Sequence, residues 1–226
     1  MKLVVVEFPG SHGAEDVLRA YQLFGMGNIE RVWHEADTLG KPDAVIIPGG
    51  YSFGDYLRPG ALAIPSPISG PIRKFAQDGG PVLGIGNGFQ ILCELGLLPG
   101  ALLENLKANF INQRVTLRVE TNKNAFLTKL TPGSLLRLPV AHYFGRYYAD
   151  RRTIKTLEEQ GLVAFRYVNE EGEPTLPDSL NGSINSIAGI LGRHGNVLGL
   201  MAHPERAVEE AIGGEDGKLL LSSILP

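Results

Sequence analysis

The stretch Pro81-Val-Leu-Gly-Ile-Gly-Asn-Gly-Phe-Gln90 joins a short apolar run to the start of a helical run through closely spaced glycines. The apolar run at 81–85 predicts a buried strand, and the spacing of apolar residues from Phe89 to about Leu95 predicts a helix. A tight turn between a strand and a helix is a place where α/β proteins hold a reactive side chain above the sheet. The apex of this turn is Gly86, which carries no side chain.

The chain before this turn repeats the order of strand and helix. Residues 3–8, 29–33 and 43–47 predict strands, and residues 15–26 and 67–77 predict helices. Strands that alternate with helices at this spacing pair in parallel and carry helices on both faces of the sheet. The sequence therefore predicts an α/β fold with a mostly parallel central sheet.

The chain after the turn has a different pattern. Three runs alternate apolar with polar residues, as half-buried antiparallel strands do: 114–120, 134–138 and 163–168. Residues 187–191 and 197–203 predict a hairpin that turns at Gly195 and Asn196, and closing helical turns are expected at 207–212 and 218–224. The segment 170–183, rich in glycine, proline, glutamate and asparagine, is predicted to be a mobile loop. We therefore expect an antiparallel portion added to the parallel sheet.

The composition is that of a water-soluble protein. A chain of 226 residues with 43% hydrophobic and 20% charged residues can bury one large core, so we expect a single domain over 1–226. The net charge of -3 gives no electrostatic reason to expect nucleic acid or an anionic membrane as a partner. The single cysteine, Cys93, excludes an internal disulfide and a thiolate metal cluster. We expect a cytoplasmic protein with no metal site.

Two further segments carry groups that could take part in catalysis. In His203-Pro-Glu205, which follows an apolar run, the histidine could accept a proton and the glutamate could orient its ring. For the tripeptide alone, an ordinary polar strand end is the favoured alternative. In Pro48-Gly49-Gly50, the paired glycines could aim bare amides at a developing oxyanion, or they could form an ordinary turn.

A different class of function is a dinucleotide-binding domain, with Gly84-x-Gly86-x-Gly88 as its phosphate-binding turn. The third glycine comes one residue too early for that fingerprint, and the turn lies in the middle of the chain instead of in the first βαβ unit. Both departures argue against this alternative.

Taken together, the segments resemble the class I glutamine amidotransferase family, and within it the glutaminase subunits of phosphoribosylformylglycinamidine synthase. The family pattern Pro-Gly-Gly-(aromatic)-Ser-(aromatic)-Gly-Asp-Tyr-Leu-Arg is matched at 48–58. The pattern Gly-(Ile/Val)-Cys-Asn-Gly-Phe-Gln-Ile-Leu is matched at 84–92, except that Gly86 replaces the cysteine. The likeness extends to His203-Pro-Glu-Arg206 and covers nearly the whole chain. It implies a flavodoxin-like α/β fold.

The resemblance also implies a reaction and a role for each matched residue. In the family, cysteine at the turn attacks the side-chain amide of glutamine, ammonia leaves, and water clears the glutamyl thioester. Carried over by position, Gly86 stands at the nucleophile position, His203 is the base and Glu205 orients it. The remaining site residues are the oxyanion-hole amides and the substrate-binding residues: Gly50 and Asn87, then Gly49, Gln90 and His142.

Partners follow from the same resemblance. Ammonia would pass to a large synthetase subunit that binds formylglycinamide ribonucleotide, in de novo purine biosynthesis, and a third small subunit is a further candidate partner. ATP and Mg²⁺ are expected on the synthetase, and no cofactor is expected on this chain. The absence of a Gly-x-x-x-x-Gly-Lys-[Ser/Thr] motif agrees with that division.

Gly86 is the departure that decides the expected activity. Loss of the nucleophile in triad enzymes costs about a million-fold in turnover, so we predict that glutamine hydrolysis is lost or severely reduced. Cys93 lies seven residues further on, which displaces it by about 10 Å along a helix. Tyr143 replaces a usual glycine and could narrow the glutamine pocket. The alternative function is a non-catalytic scaffold subunit of a synthetase that uses free ammonia.

Overall fold

The computed structural model of the chain describes residues 1–174 and 180–225. The helices of these residues are α1 (Ala14–Leu23), α2 (Ser69–Gln77), α3 (Asn87–Glu94), α4 (Arg151–Glu159) and α5 (Asp216–Ser222). The strands are β1 (Leu3–Glu7), β2 (Ile29–Trp33), β3 (Ala44–Ile47), β4 (Val82–Ile85), β5 (Ala101–Leu103), β6 (Ile111–Val119), β7 (Leu135–His142), β8 (Arg146–Tyr148), β9 (Val163–Val168), β10 (Ile187–Leu191) and β11 (Val197–Leu200). Short 3₁₀ helices lie at Ser52–Asp55, Ala61–Ala63, Ile184–Ser186, Pro204–Arg206 and Glu210–Ile212.

One large mixed sheet organises the described part of the chain. Its strand order is β2-β1-β3-β4-β11-β10-β9-β6-β7, and β5 and β8 form a small separate ribbon. Neighbours from β2 to β11 pair in parallel, and neighbours from β11 to β7 pair antiparallel. The predicted α/β class, with an antiparallel portion joined to a parallel sheet, is confirmed.

The central strands are buried on both faces, which explains why they read as continuous apolar runs. Residues 3–6 of β1 have no exposed surface. Successive side chains of a strand point to opposite faces. Val5 accordingly belongs to the apolar cluster that contains Val17 of α1, and Val4 belongs to the cluster that contains Ile72 of α2 and Phe89 of α3. Helices therefore cover both faces of the parallel half, as predicted.

Several boundaries differ from the sequence prediction. Helix α1 ends at Leu23 instead of 26, where Gly25 takes a left-handed conformation with φ +78°. Strand β7 continues to His142 through Pro139, which the edge position of β7 permits because an edge residue needs no second ladder bond. Strand β11 ends at Leu200, before the predicted 203.

Other elements were not predicted. Helix α4 follows the N-cap residue Asp150, whose carboxylate accepts bonds from the amides of Arg152 and Thr153. The ribbon of β5 and β8 is too short to show a pattern. The turns predicted at 207–212 and 218–224 correspond to the 3₁₀ helix Glu210–Ile212 and to α5. Of the loop predicted to be mobile, residues 175–179 lie outside the described residues.

Candidate active site

The carboxyl ends of three neighbouring strands bring the three sequence motifs together. Strands β3, β4 and β11 are adjacent and parallel, with Ile47 paired to Gly84 and Leu200 paired to Ile85. The glycine pair at 49–50 follows β3, Gly86 follows β4, and His203 follows β11. The carboxyl edge of a parallel sheet is the usual position of a site in this fold class.

The turn after β4 has the backbone of a strained elbow. Gly86 adopts φ +53° and ψ -110°, outside the regions open to most L-residues, and its amide donates to the Leu200 carbonyl at 2.8 Å. A Cβ built on Gly86 would lie 3.1 Å from Cε1 and 3.3 Å from Nε2 of His203. The apex therefore holds a positive φ, and the imidazole faces the position where a side chain would begin.

The other two glycines of the turn serve packing. A Cβ on Gly88 would overlap the carbonyl oxygen of Ile47, and a Cβ on Gly84 would lie 2.6 Å from the backbone of Gly88. Glycine at both positions lets α3 approach β3 and β4 closely. This packing accounts for the spacing without a dinucleotide phosphate in the turn.

A buried histidine–glutamate pair faces the elbow. Nδ1 of His203 lies 2.7 Å from Oε1 of Glu205, and the two residues are 4% and 2% exposed. The amide of His203 donates to the Pro139 carbonyl at 2.8 Å, which ties the end of β11 to β7. With Nδ1–H donated to the carboxylate, Nε2 carries the free lone pair and points toward residue 86. The pair can accept a proton from a group at that position.

The glycine pair after β3 closes the opposite side. Gly49 packs against the His203 ring, where a Cβ would lie 2.7 Å from Cε1. The amides of Gly50 and Asn87 donate no hydrogen bond to any of the described residues, and Asn87 is the first residue of α3, whose amide has no partner within the helix. The Asn87 side chain accepts the Ser52 amide at 3.0 Å, which joins the two turns. Two free amides therefore border the site.

A cavity of about 210 Å³ opens beside the elbow. It is lined by His12, Gly50, Tyr51, Asp55, Gly86, Asn87, Gln90, Ala141, His142, Tyr143, Phe144, Met201, His203 and Arg206. The predicted residues Gly86, Gly50, Asn87, Gln90, His142 and His203 all lie in this wall, and Gly49 and Glu205 stand directly behind His203. The structure thus gathers the predicted site residues in one place.

The predicted substrate-binding residues differ in how far the protein itself uses their polar atoms. The Gln90 amide accepts from Asn87 Nδ2 at 2.8 Å and donates to the Phe144 carbonyl at 2.6 Å, so it ties α3 to the segment after β7. Nδ1 of His142 lies 3.1 Å from Asn105 Oδ1, whereas its buried Nε2 has no partner among the described residues. Burial, together with the charge of His203, lowers the pKa of His142 to about 4.

Sequence reasoning did not single out Asp55, although it lies in the quoted motif at 48–58. Its carboxylate reaches the cavity next to Asn87, whose Nδ2 lies 3.5 Å from Oδ1, and burial raises its pKa to about 6. Tyr143 does line the cavity, and its hydroxyl donates to the Glu104 carboxylate. Cys93 lies outside the cavity, among apolar side chains, where burial raises the pKa of its thiol.

Comparisons with known proteins agree with this geometry. Residues 1–213 match the family model of the CobB/CobQ-like glutamine amidotransferase domain. The chain is 48% identical over 225 residues to the phosphoribosylformylglycinamidine synthase subunit PurQ of Aquifex aeolicus, covering 100% of this chain and 99% of that protein. It is 50% identical over 218 residues to the PurQ subunit of Thermus thermophilus, covering 96% and 94%.

A solved structure gives the same assignment at the level of the fold. The structure of PurLQS from Thermotoga maritima contains a chain that superposes with a TM-score of 0.85 at 43% identity, covering 99% of this chain and 97% of that chain. Among the described residues, none of the helices has the length and apolar character needed to cross a membrane. The chain belongs to the glutamine amidotransferase family, among the PurQ subunits of phosphoribosylformylglycinamidine synthase.

Proposed function

We propose that this chain is the amidotransferase subunit of a cytoplasmic phosphoribosylformylglycinamidine synthase, and that its own glutamine hydrolysis is lost or severely reduced. The names of its relatives and the Thermotoga maritima PurLQS complex support a large synthetase subunit and a small third subunit as partners. ATP and Mg²⁺ would be bound by the synthetase, where formylglycinamide ribonucleotide is aminated. No cofactor is assigned to this chain.

The observation that supports the proposed loss of activity is that Gly86 lies in a site whose other catalytic groups are in place. His203 Nε2 lies 3.3 Å from the position of a Cβ on residue 86, and two free amides border the cavity. With a thiol at position 86, this nitrogen would take the thiol proton and the amides would hold the oxyanion. Glycine offers no nucleophile, so no glutamyl thioester can form and the histidine has no thiol proton to accept.

A second candidate function is favoured by the same residue. If the chain acts only as a scaffold, the synthetase would use free ammonia and the histidine would take no part in turnover. Ammonia-dependent synthesis by the assembled complex would then be unchanged by His203→Ala. A slower glutamine-dependent reaction in His203→Ala would exclude this function.

The test of the main proposal is ammonia release from glutamine, measured with the synthetase and small subunits present. We expect no release above background from the unaltered chain, and release several orders of magnitude faster from Gly86→Cys. Gly86→Ala is the matched control, because it adds the same Cβ and backbone strain without a thiol. Activity of the unaltered chain within roughly tenfold of Gly86→Cys would contradict the proposal, because loss of a nucleophile costs far more.

A further inference from the structure

Some of the polar atoms around the cavity have no hydrogen-bond partner among the described residues. On the side of the elbow, the free amides of Gly50 and Asn87 are donors suited to an oxygen atom. The same cavity is lined by His142, whose Nε2 has no partner among the described residues, and by Asp55, whose carboxylate is an acceptor. A buried acceptor without a donor is costly, so a ligand that brings several N–H groups to these two residues would be favoured.

The hydrogen bonds around His142 define which of its nitrogen atoms is the acceptor. Asn105 Nδ2 donates to the carbonyls of Asn109 and His142 at 2.8 and 2.9 Å, so its Oδ1 is the acceptor of that amide. Oδ1 receives the Gly145 amide at 3.1 Å, and the Nδ1–H of His142 at 3.1 Å. Nε2 is therefore the unprotonated nitrogen. The residue is 4% exposed, and this lone pair has no partner among the described residues.

Asp55 is held in the cavity wall by an uncommon backbone. Its φ of +57° lies between those of Phe53 at +52° and Leu57 at +67°, and clustered conformations of this kind concentrate at ligand-binding sites. Within residues 1–174 and 180–225, the carboxylate has only the long contact of 3.5 Å from Asn87 Nδ2. Burial raises its pKa to about 6, so the carboxylate is still ionised at neutral pH. It therefore brings a negative charge to the cavity, and it forms no ion pair with any of the described residues, Arg206 of the same cavity wall included.

We propose that Asp55 and His142 form a subsite for a primary ammonium group, either the α-ammonium of free glutamine or ammonium ion itself. An ammonium group has several donors and no acceptor, so it can donate to a carboxylate and an imidazole nitrogen together. Aromatic side chains of Tyr51, Tyr143 and Phe144 line the same cavity and suit a cation. The assignment of the α-ammonium of glutamine rests on the proposed function, because it places an amino acid in this cavity.

The subsite is tested by isothermal titration of the full chain at pH 7.5, which lies about 1.5 units above the pKa of Asp55. The ligands are L-glutamine, glutaramate (which lacks only the α-ammonium group), ammonium chloride, and potassium chloride as the salt control. Because the chain lacks the nucleophile, binding can be measured at equilibrium. We expect L-glutamine to bind at least about tenfold more tightly than glutaramate, the smallest effect of losing one hydrogen bond to a charged group.

Asp55→Asn is the matched variant. Asparagine has the same shape as aspartate and tolerates positive φ, so it removes the charge and keeps the loop. We expect it to weaken L-glutamine by at least about tenfold and to leave glutaramate unchanged. Asp78→Asn, on the exposed end of α2, is the control for a general charge effect and should bind as the unaltered chain does.

The outcomes distinguish the α-ammonium group of glutamine from free ammonium ion as the ligand. They also distinguish failure of the subsite from failure of the proposed function. Binding of ammonium chloride but not of potassium chloride or L-glutamine would assign the subsite to ammonium ion. Equal affinity for L-glutamine and glutaramate, or no binding of either L-glutamine or ammonium, would overturn the subsite. That comparison uses the unaltered chain and holds even if Asp55→Asn does not fold. Ammonia release from glutamine by the unaltered chain would contradict the proposed function. The affinities for L-glutamine and glutaramate could still be compared in that case, by competition measured before much glutamine has been hydrolysed.

Discussion

Two turns that follow neighbouring strands differ in the kind of residue that adopts a left-handed backbone conformation. After β4, the residue at φ +53° is Gly86. After β3, three residues with side chains hold positive φ, namely Phe53, Asp55 and Leu57. An L-residue in such a conformation costs about 1–2 kcal/mol and persists where its surroundings impose it. The turn that brings a carboxylate to the cavity therefore carries this strain, whereas glycine avoids it at the elbow.

The difference suggests what each turn still does. Glycine at the elbow has no side chain to offer in catalysis, so under the proposed loss of activity this turn serves packing and presents the amide of Asn87. Strain with side chains indicates that the turn at 51–58 still presents groups that matter for binding. The experiments below test this contrast, from the largest expected effect to the smallest.

The largest effect concerns the contribution of His203 to glutamine hydrolysis once a thiol is placed at position 86. In the Gly86→Cys chain, His203→Ala should lower glutamine hydrolysis by a factor on the order of a million, because the thiol loses its base. In the unaltered chain the same substitution should change nothing measurable. Steady-state ammonia release with the partner subunits present checks both. A large effect of His203→Ala in the unaltered chain would show that the glycine turn is still catalytic.

The next effect tests whether glycine in the elbow is needed for packing. Gly88→Ala places a methyl group on the Ile47 carbonyl, so it should lower the free energy of unfolding by about 3 kcal/mol. Gly70→Ala in α2 is the control, because nothing lies within 4 Å of its Cβ and alanine favours a helix by about 1 kcal/mol. Urea unfolding measures both. A loss below about 1 kcal/mol for Gly88→Ala would mean that α3 can move away from β3.

A pH-dependent effect probes the cavity that both turns border. The folded pKa of His142 is about 4, below the value near 6.5 of an unfolded histidine, so in that window the unfolded chain binds the extra proton. Stability should therefore fall as the pH drops from 6.5 toward 4, by at most about 3 kcal/mol. His142→Gln should flatten this dependence, whereas His194→Gln, at an exposed site, should keep it. Thermal melts across this range measure the slopes.

Asp55 should act in the opposite direction in the same pH window. Burial raises its pKa to about 6, above the usual carboxyl value, so the folded chain takes up this proton first. Protonation of Asp55 therefore partly offsets the acid loss caused by His142. Asp55→Asn should steepen the fall in melting temperature below pH 6, and an unchanged slope would contradict the burial of this carboxyl.

A smaller effect tests the strain at the elbow itself. Gly86→Ala should lower the free energy of unfolding by about 1–3 kcal/mol, because alanine must adopt φ +53° and its Cβ must displace the His203 ring slightly. Urea unfolding, compared with the Gly70→Ala control, gives the difference. A neutral result would show that the elbow relaxes easily and that its conformation is not enforced.

The smallest effect comes from the other turn. Leu57→Gly should raise the free energy of unfolding by about 0.5–1 kcal/mol, because it removes left-handed strain at the cost of backbone entropy. The side chain is 85% exposed, so little packing is lost. Destabilisation by Leu57→Gly in urea unfolding would mean that the positive φ at this turn is not a source of strain.

Much of the site could be predicted because parallel strands place their carboxyl ends together. The motifs after β3, β4 and β11 are each weak alone, and their convergence follows from the strand order. The role of Asp55 could not be predicted in this way, because it depends on the φ values of a loop that has no periodicity. The free Nε2 of His142 likewise depends on Asn105, which lies far away in the sequence.

Strand β7 is longer than the sequence predicts because of its position in the sheet. The alternating pattern predicts a strand only to 138, because Pro139 is unfavourable inside a sheet. The strand continues because β7 lies at the edge of the sheet, which local sequence does not reveal. Helix α4 was missed although Asp150 at its start and Ile154 and Leu157 on its buried side are recognisable signals.

The positions of His203 and His142 both depend on strand β7. Pro139 accepts the His203 amide, and three residues later the same strand supplies His142. Both rely on the pairing of β7 with β6, in which His142 lies opposite Ile111. A slip of one residue in that pairing would turn His142 to the far face and withdraw the carbonyl from His203. Evolution of the antiparallel half is therefore constrained by the alignment of two histidines at the boundary with the parallel half.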